Sequence, residues 1–192
     1  MKKYLFLLLP VLITTQSYTM DDIQDPQMAF FLAVSRNYPP QKILELLKNP
    51  AVSIDKLYNP AYNIQITEGY SPLHIAASEP HLQGPHINIS LIRLLLGAGA
   101  NINTLSAYGQ TALFQARSPE IAVELLKQGI DPSIRDKGGR TALESLAESI
   151  KTTINKPIFG NIPLQKLAVK NAIEEYIQRK TNTSESCTSN EL

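Results

Sequence analysis

The histidines are the first residues of this sequence to examine for chemistry, because an imidazole can bind a metal ion or act as a general base. There are three of them, His74, His81 and His86. His81 and His86 lie close together in a proline-bounded segment, directly after Glu79. A zinc site normally takes three or four protein ligands. The segment therefore falls short of a metal site, and a metal-dependent hydrolase using His81 and His86 is a disfavoured hypothesis.

Other catalytic patterns are also missing from the sequence. An enzyme needs a nucleophile with a base, a carboxylate pair in a suitable setting, or a set of metal ligands. Cys187 is the single cysteine and lies in a polar tail, so it cannot form an intrachain disulfide. Gly-Ala-Gly at residues 97–99 lacks the Gly-Lys-Ser/Thr ending of a phosphate-binding loop. We therefore expect a protein that is not an enzyme and that uses no cofactor or metal.

The composition favours a folded protein and argues against a nucleic-acid partner. The chain has 192 residues, of which 43% are hydrophobic and 18% charged, enough apolar material for one domain or a short stack of repeats. Its formal net charge is +1, and no lysine or arginine cluster stands out. A nucleic-acid-binding surface would need a concentrated positive field, so we expect none.

The N-terminus has the order of a secretory signal peptide. Lys2 and Lys3 precede an apolar run at residues 4–13, and a short polar stretch follows. An uncleaved membrane anchor would need about 20 apolar residues, whereas this run is shorter and contains Pro10. We expect residues 1–19 to be a signal peptide and the mature chain to be secreted or periplasmic, with no stable membrane insertion.

Three segments repeat one another and indicate which elements would position a binding residue. They read Gly-Tyr-Ser-Pro-Leu-His-Ile-Ala at residues 69–76, Gly-Gln-Thr-Ala-Leu-Phe-Gln-Ala at 109–116, and Gly-Arg-Thr-Ala-Leu-Glu-Ser-Leu at 139–146. Each begins Gly-x-(Ser/Thr)-(Pro/Ala)-Leu. A repeat of this kind predicts a stack of similar units rather than one irregular domain.

Leucine-rich segments that end in glycine follow the first two of these openings. Residues 94–96 lead to Gly99, and residues 125–126 lead to Gly129. Each glycine lies the same distance before the next opening, which fixes the register. Relative to a period of about 33 residues, the unit that begins at 69 is longer and the one that begins at 109 is shorter.

Together these segments resemble the ankyrin repeat, whose unit is a turn, two antiparallel helices and a loop. Ser-Pro-Leu-His-Ile-Ala at residues 71–76 is nearly the full Thr-Pro-Leu-His-x-Ala opening. The Ser71 hydroxyl is expected to cap the first helix, Leu73 to face the stack, and Gly99 to end the second helix in a left-handed conformation. The resemblance implies a structural role for His74, whose ring would tie adjacent turns together by a hydrogen bond.

The sequence therefore predicts an all-α fold, an ankyrin-repeat solenoid of about four helix-turn-helix units with a C-terminal capping helix. The first unit is inferred from two short apolar segments around Pro39 and Pro40, and the capping helix from apolar residues at helical spacing between 164 and 177. The expected domain spans residues 25–180, with units near 25–58, 69–103, 109–134 and 139–180. A disordered tail is expected at 181–192.

The resemblance implies a protein-binding function through the loop tips and the concave face of the stack. The contact positions that it implies lie beside each opening and at the end of the first helix: Thr67, Glu68, Tyr70, Ser78, Glu79, Tyr108, Gln110, Lys137 and Arg140. Tyr58 and Tyr62 in the preceding long loop are further candidates, because tyrosine is enriched at binding hot spots. The alternative for these two tyrosines is that they pack the loop onto the stack.

The expected function is that of an exported protein–protein interaction module, with a bacterial host-directed protein as one option. The alternative is a periplasmic, chaperone-like or protective partner of an endogenous enzyme. In both cases the partner is another protein, and its identity is not encoded in any motif of this chain.

Overall fold

The computed structural model describes residues 24–58, 69–78, 85–154 and 162–188, without the side chains of 85–87, 153–154, 162–163 and 183–188. Every regular element in these ranges is helical, which confirms the predicted all-α fold. The α-helices are α1 (Pro26–Ser35), α2 (Pro40–Leu47), α3 (Pro72–Ser78), α4 (Pro85–Gly97), α5 (Pro119–Lys127), α6 (Ala142–Ile154) and α7 (Ile162–Thr188), and a 3₁₀ helix spans Ala112–Gln115.

The helices pair into four units that contact their neighbours along the chain. The pairs are α1 with α2, α3 with α4, the 3₁₀ helix with α5, and α6 with α7. The first helices form one row, in which α3 contacts both α1 and the 3₁₀ helix, and the 3₁₀ helix contacts α6. In the second row, α5 lies between α4 and α7. This nearest-neighbour pattern is that of a repeat solenoid.

Capping residues and glycines set several of the helix ends. The Asp25 carboxylate accepts a hydrogen bond of 2.8 Å from the backbone N–H of Gln27 at the start of α1, and the Ser118 hydroxyl accepts one of 3.3 Å from Ile121 at the start of α5. Gly99 and Gly129 follow the second helices of their units with φ of 97° and 93°. Their predicted left-handed conformation is therefore confirmed.

The hydroxyl residues of the three openings have different roles, and the expected helix cap holds in the last of them. Thr141 accepts a hydrogen bond of 3.3 Å from the N–H of Glu144. The Ser71 hydroxyl instead lies 2.7 Å from Nδ1 of His74, because an imidazole three residues later offers a nearer acceptor. Thr111 makes no side-chain cap.

The core runs through the stack and contains leucines of the second and third units. Leu73, Leu95, Leu113 and Leu125 are buried, whereas Leu143 is half-buried. Leu143 packs against the edge of this core without being enclosed by it. The leucine belongs to α6 in the last unit, which has a neighbouring unit on one side only.

Two elements differ in length from the predicted pattern. The first helix of the third unit is a single 3₁₀ turn, because the shortened segment leaves little chain before Ser118 caps α5. Helix α7 extends to Thr188, past residue 180, where the domain was expected to end and the disordered tail to begin. Residues 181–188 are polar but contain no glycine or proline that would end the helix.

Candidate partner-binding surface

The turns that precede the openings lie side by side and are joined by backbone hydrogen bonds. The N–H of Ala107 donates to the carbonyl of Gly69 at 2.8 Å, and the N–H of Lys137 donates to the carbonyl of Tyr108 at 3.0 Å. These bonds connect the turns of the second, third and fourth units in a continuous row. We call the described residues of these turns, 69–70, 106–110 and 135–140, the tip row.

Each of the last two turns is closed by a backbone pair and by one side chain. The N–H of Ser106 donates to the carbonyl of Gln110, and the N–H of Asp136 to that of Arg140, both at 2.8 Å. The Ser106 hydroxyl accepts from the N–H groups of Tyr108 and Gln110, each at 3.2 Å. The Asp136 carboxylate accepts from Gly138 at 2.9 Å and Arg140 at 3.0 Å. The tips are therefore held in fixed conformations.

Ser106 and Asp136 are structural residues of the tips that the sequence reasoning missed. They occupy the same position relative to Thr111 and Thr141. Serine and aspartate commonly close turns by accepting a hydrogen bond from a backbone N–H two residues later. Aligning the two turns on this position would have identified the pair.

Gly69 allows the close approach of two tips. Its φ is 78°, a left-handed conformation that favours glycine. A Cβ atom at this position would lie 2.4 Å from the Cβ of Ala107, which is closer than two carbon atoms can pack. Glycine is therefore required where the turn of the second unit meets the turn of the third unit.

His74 ties the second unit to the turn of the third, as the resemblance implied. Its Nε2 lies 2.7 Å from the backbone carbonyl of Gln110, and a carbonyl only accepts, so Nε2 carries the hydrogen. Nδ1 is then the acceptor for the Ser71 hydroxyl at 2.7 Å. Burial lowers the pKa of the His74 imidazole, although the Gln110 bond opposes this effect. The ring is neutral and structural.

Two tyrosines form an aromatic step along the tip row. The ring centroids of Tyr70 and Tyr108 are 5.8 Å apart, and that of Tyr70 is 5.5 Å from His74. Tyr108 is 46% exposed, whereas Tyr70 is half-buried against the core. The Tyr70 hydroxyl accepts a hydrogen bond of 2.9 Å from the amide of Gln115, and burial raises the pKa of this phenol. Tyr108 thus offers the more accessible aromatic surface.

The remaining described candidate contact residues differ in how accessible their side chains are to a binding partner. Lys137 and Arg140 are exposed at the turn of the fourth unit. The half-buried Gln110 amide oxygen accepts a hydrogen bond of 3.0 Å from Gln115. The Ser78 hydroxyl donates to the carbonyl of Ile75 at the end of α3. The two cations are therefore the more available of these side chains.

Tyr58 lies in the core rather than on the binding surface. It is 2% exposed, and its ring meets Phe31 edge-on with the centroids 5.4 Å apart. Its backbone pairs with the second turn, since its N–H donates to the carbonyl of Tyr70 at 2.8 Å. The packing alternative therefore holds for Tyr58. The proposal of this residue as a partner contact is corrected, because its ring fills the space beside α1.

Several candidate residues lie outside the described part of the chain. They are Tyr62, Thr67, Glu68, Glu79 and His81, together with the side chain of His86 and the expected signal peptide. Among the described residues, no group of three or more His, Cys, Asp or Glu side chains is arranged to hold a metal ion. Nor does that part of the chain contain a helix long and apolar enough to cross a membrane.

Comparison with known proteins agrees with this architecture. The family model described as ankyrin repeats (3 copies) matches residues 30–136. This protein therefore belongs to the ankyrin-repeat family. Ankyrin repeats imply a protein–protein interaction module of the solenoid class.

Among solved structures, the chain is similar to the ankyrin repeat domain of Bcl-3, described as a unique member of the IkappaB protein family. The sequences are 26% identical, and the TM-score is 0.46. The match covers 61% of this chain and 46% of the Bcl-3 chain. This protein thus spans less than half of that structure.

Proposed function

We propose that this protein is exported and holds another protein on its tip row. The observation that carries the proposal is the exposure of Tyr108, 46%, on a backbone that hydrogen bonds fix on both sides. The Tyr108 carbonyl accepts from Lys137, and its N–H donates to Ser106. A large aromatic side chain that is exposed on a rigid support is typical of a binding hot spot.

The rigidity of the tips favours binding by lowering its entropic cost. Association has a cost in entropy whenever loops and side chains become ordered, and each immobilised side chain with many rotamers contributes about 0.5–1.5 kcal/mol to it. In the tip row, Ser106, Asp136 and the bonds between turns have already ordered the backbone. More of the contact energy of Tyr108 and Arg140 therefore remains as affinity.

Export is the second part of the proposal and rests on the sequence. Two lysines, an apolar run and a short polar stretch at residues 1–19 have the order of a cleaved signal. An exported binding module meets either a host protein or a protein of its own cell envelope. We favour the host-directed role, and the second candidate is a chaperone-like or protective partner of a periplasmic enzyme.

Photo-crosslinking from the tip row tests the binding proposal. A photoreactive phenylalanine analogue replaces Tyr108 in one sample and Leu44 in the control. Leu44 is a matched position because it is 45% exposed but lies on α2, away from the tips. We expect a discrete protein adduct from position 108 and none from position 44. Equal adducts from both positions, or none from either, would contradict the proposal.

The source of the captured protein separates the two candidate roles. The same crosslinking is carried out in an envelope extract of the producing cell and in a host-cell extract. An adduct with a host protein supports the host-directed role, and one with an envelope enzyme supports the protective role. If the partner protein is still crosslinked in the presence of a chelator, and also by the His81→Ala and His86→Ala variants, binding does not depend on a metal. Loss of capture under both conditions would favour the metal-dependent alternative.

A further inference from the structure

The turn of the fourth unit presents positive charge to solvent. Lys137 is exposed, and the side chains of Arg135 and Arg140 are 56% and 51% exposed. The acidic residue of the same turn, Asp136, has a side chain only 4% exposed. The charged groups that this turn offers to a partner are therefore all cations.

The Asp136 carboxylate is occupied inside the turn. It accepts hydrogen bonds from the N–H groups of Gly138 and Arg140, and the Arg140 guanidinium lies 3.4 Å from its second oxygen. These bonds, chiefly the one from the Arg140 N–H, lower the pKa of the Asp136 carboxyl. The carboxylate thus stabilises the turn and leaves the outer faces of Lys137 and Arg140 available.

Glu144, an exposed carboxylate at the start of α6, contacts this turn and is also engaged. Glu144 accepts from the Thr141 N–H and from the Arg135 guanidinium, each at 2.8 Å, and the pKa of its carboxyl is lowered by these contacts. Arg135 is therefore partly neutralised. Lys137 forms no ion pair with any residue in the described ranges, so it is the cation with the most unbalanced charge.

Lys137 adjoins the aromatic step. Its N–H donates to the carbonyl of Tyr108, and its Cγ would lie 3.3 Å from a Cβ built on Gly109. The aliphatic part of the Lys137 side chain therefore lies over the turn of the third unit. Along the tip row, an aromatic surface at Tyr70 and Tyr108 is followed directly by a basic one at Lys137 and Arg140.

We propose that the tip row binds an acidic, extended segment of its partner protein, with carboxylates opposite Lys137 and Arg140 and an apolar or proline residue on Tyr108. This inference rests on the proposed function and specifies the chemistry of the partner. Charge complementarity of this kind steers association and selects partners more than it adds affinity. A single-stranded nucleic acid is a weaker fit, because the formal net charge of the chain is +1 and the exposed tip cations are confined to one turn.

Selection from a displayed library of random linear peptides on the immobilised full chain tests the chemistry. We expect the enriched peptides to carry clustered Asp and Glu beside an aromatic, aliphatic or proline residue. The variant Lys137→Glu should weaken the best peptide about fivefold at low salt, and the loss should shrink as salt screens the charges. Lys48→Glu is the matched control, since it makes the same change of charge at an exposed residue beyond α2.

The outcomes separate this inference from the proposed function. Acidic peptides that respond to Lys137→Glu and not to Lys48→Glu support it. Neutral or basic peptides that respond to Tyr108→Ala but not to Lys137→Glu would overturn the acidic partner and leave the tip row as a binding surface. Displacement of the peptide by a single-stranded oligonucleotide of mixed sequence at equal concentration would overturn the class of partner. Indifference of all selected peptides to both tip changes would overturn both proposals.

Discussion

The buried hydroxyl of Thr111 leads to a prediction that contrasts two equivalent positions of the repeat. Thr111 is 1% exposed, and its Oγ1 has no hydrogen-bond partner among the described residues. At the corresponding position, Ser71 bonds to the ring of His74. Phe114 occupies the place of that histidine in the third unit. The third unit therefore retains the hydroxyl without its imidazole partner.

The expected change in the free energy of unfolding follows from the cost of burying an unpaired polar group. Such a group costs about 1–3 kcal/mol relative to a satisfied one. Replacing the hydroxyl by a methyl group in Thr111→Val removes this cost at nearly constant volume, so we expect a change between neutral and a gain of up to about 3 kcal/mol. Ser71→Ala instead removes a bond of 2.7 Å and leaves Nδ1 of His74 without its hydroxyl donor. We expect it to cost about 1–2 kcal/mol.

Urea unfolding followed by circular dichroism measures both changes on one scale. For a domain of this size, 1 kcal/mol corresponds to a shift of about 2–4 °C in Tm, so thermal scans provide an independent check. Ser71→Ala should lower the midpoint, and Thr111→Val should leave it unchanged or raise it. A loss for Thr111→Val as large as that for Ser71→Ala would refute the reasoning, because it would mean that the hydroxyl makes a stabilising bond.

Three further predictions concern the histidine, the core and the N-terminus. Because burial lowers the pKa of His74, its contribution to the free energy of unfolding is present above about pH 6.5 and is lost as the pH falls. Urea titrations across this range should show less pH dependence in His74→Asn. Leu125→Ala should cost about 2–5 kcal/mol and Leu143→Ala clearly less, since Leu143 is half-buried; equal losses in chemical unfolding would contradict the described packing. The intact mass of the secreted protein should correspond to a chain that begins between Tyr18 and Asp21, and recovery of the full-length chain only in detergent would count against export.

The repeat register could be predicted from the sequence because its signals are local. A glycine with positive φ ends a helix almost regardless of its surroundings, so Gly99 and Gly129 were recognisable in isolation. His74 was placed by the resemblance, and the structure confirms its bond to the third turn.

The burial and hydrogen bonding of individual side chains depend on neighbouring residues that the local sequence pattern does not specify. The Tyr58 ring packs against Phe31. This contact joins residues that are distant in the sequence, so it can be recognised only in the folded structure. Ser71 prefers the imidazole of His74 to the helix N-terminus because the ring nitrogen is held nearby. The full positive charge of the last turn was hidden for a similar reason, since Asp136 offsets one of its three cations in the sequence but is buried in the structure.

The most direct test of the central claim combines affinity with stability in a pair of double variants. Tyr108→Ala with Arg140→Ala alters the tip row, and Leu44→Ala with Lys48→Ala makes matched changes at exposed residues of the first unit. For the protein captured by crosslinking, we predict that the tip variant weakens binding at least about tenfold, or 1.4 kcal/mol, while its Tm stays within about 2 °C of the parent. The control variant should change neither property. Unchanged affinity in the tip variant, or an equal loss in the control, would contradict a binding surface at the tip row.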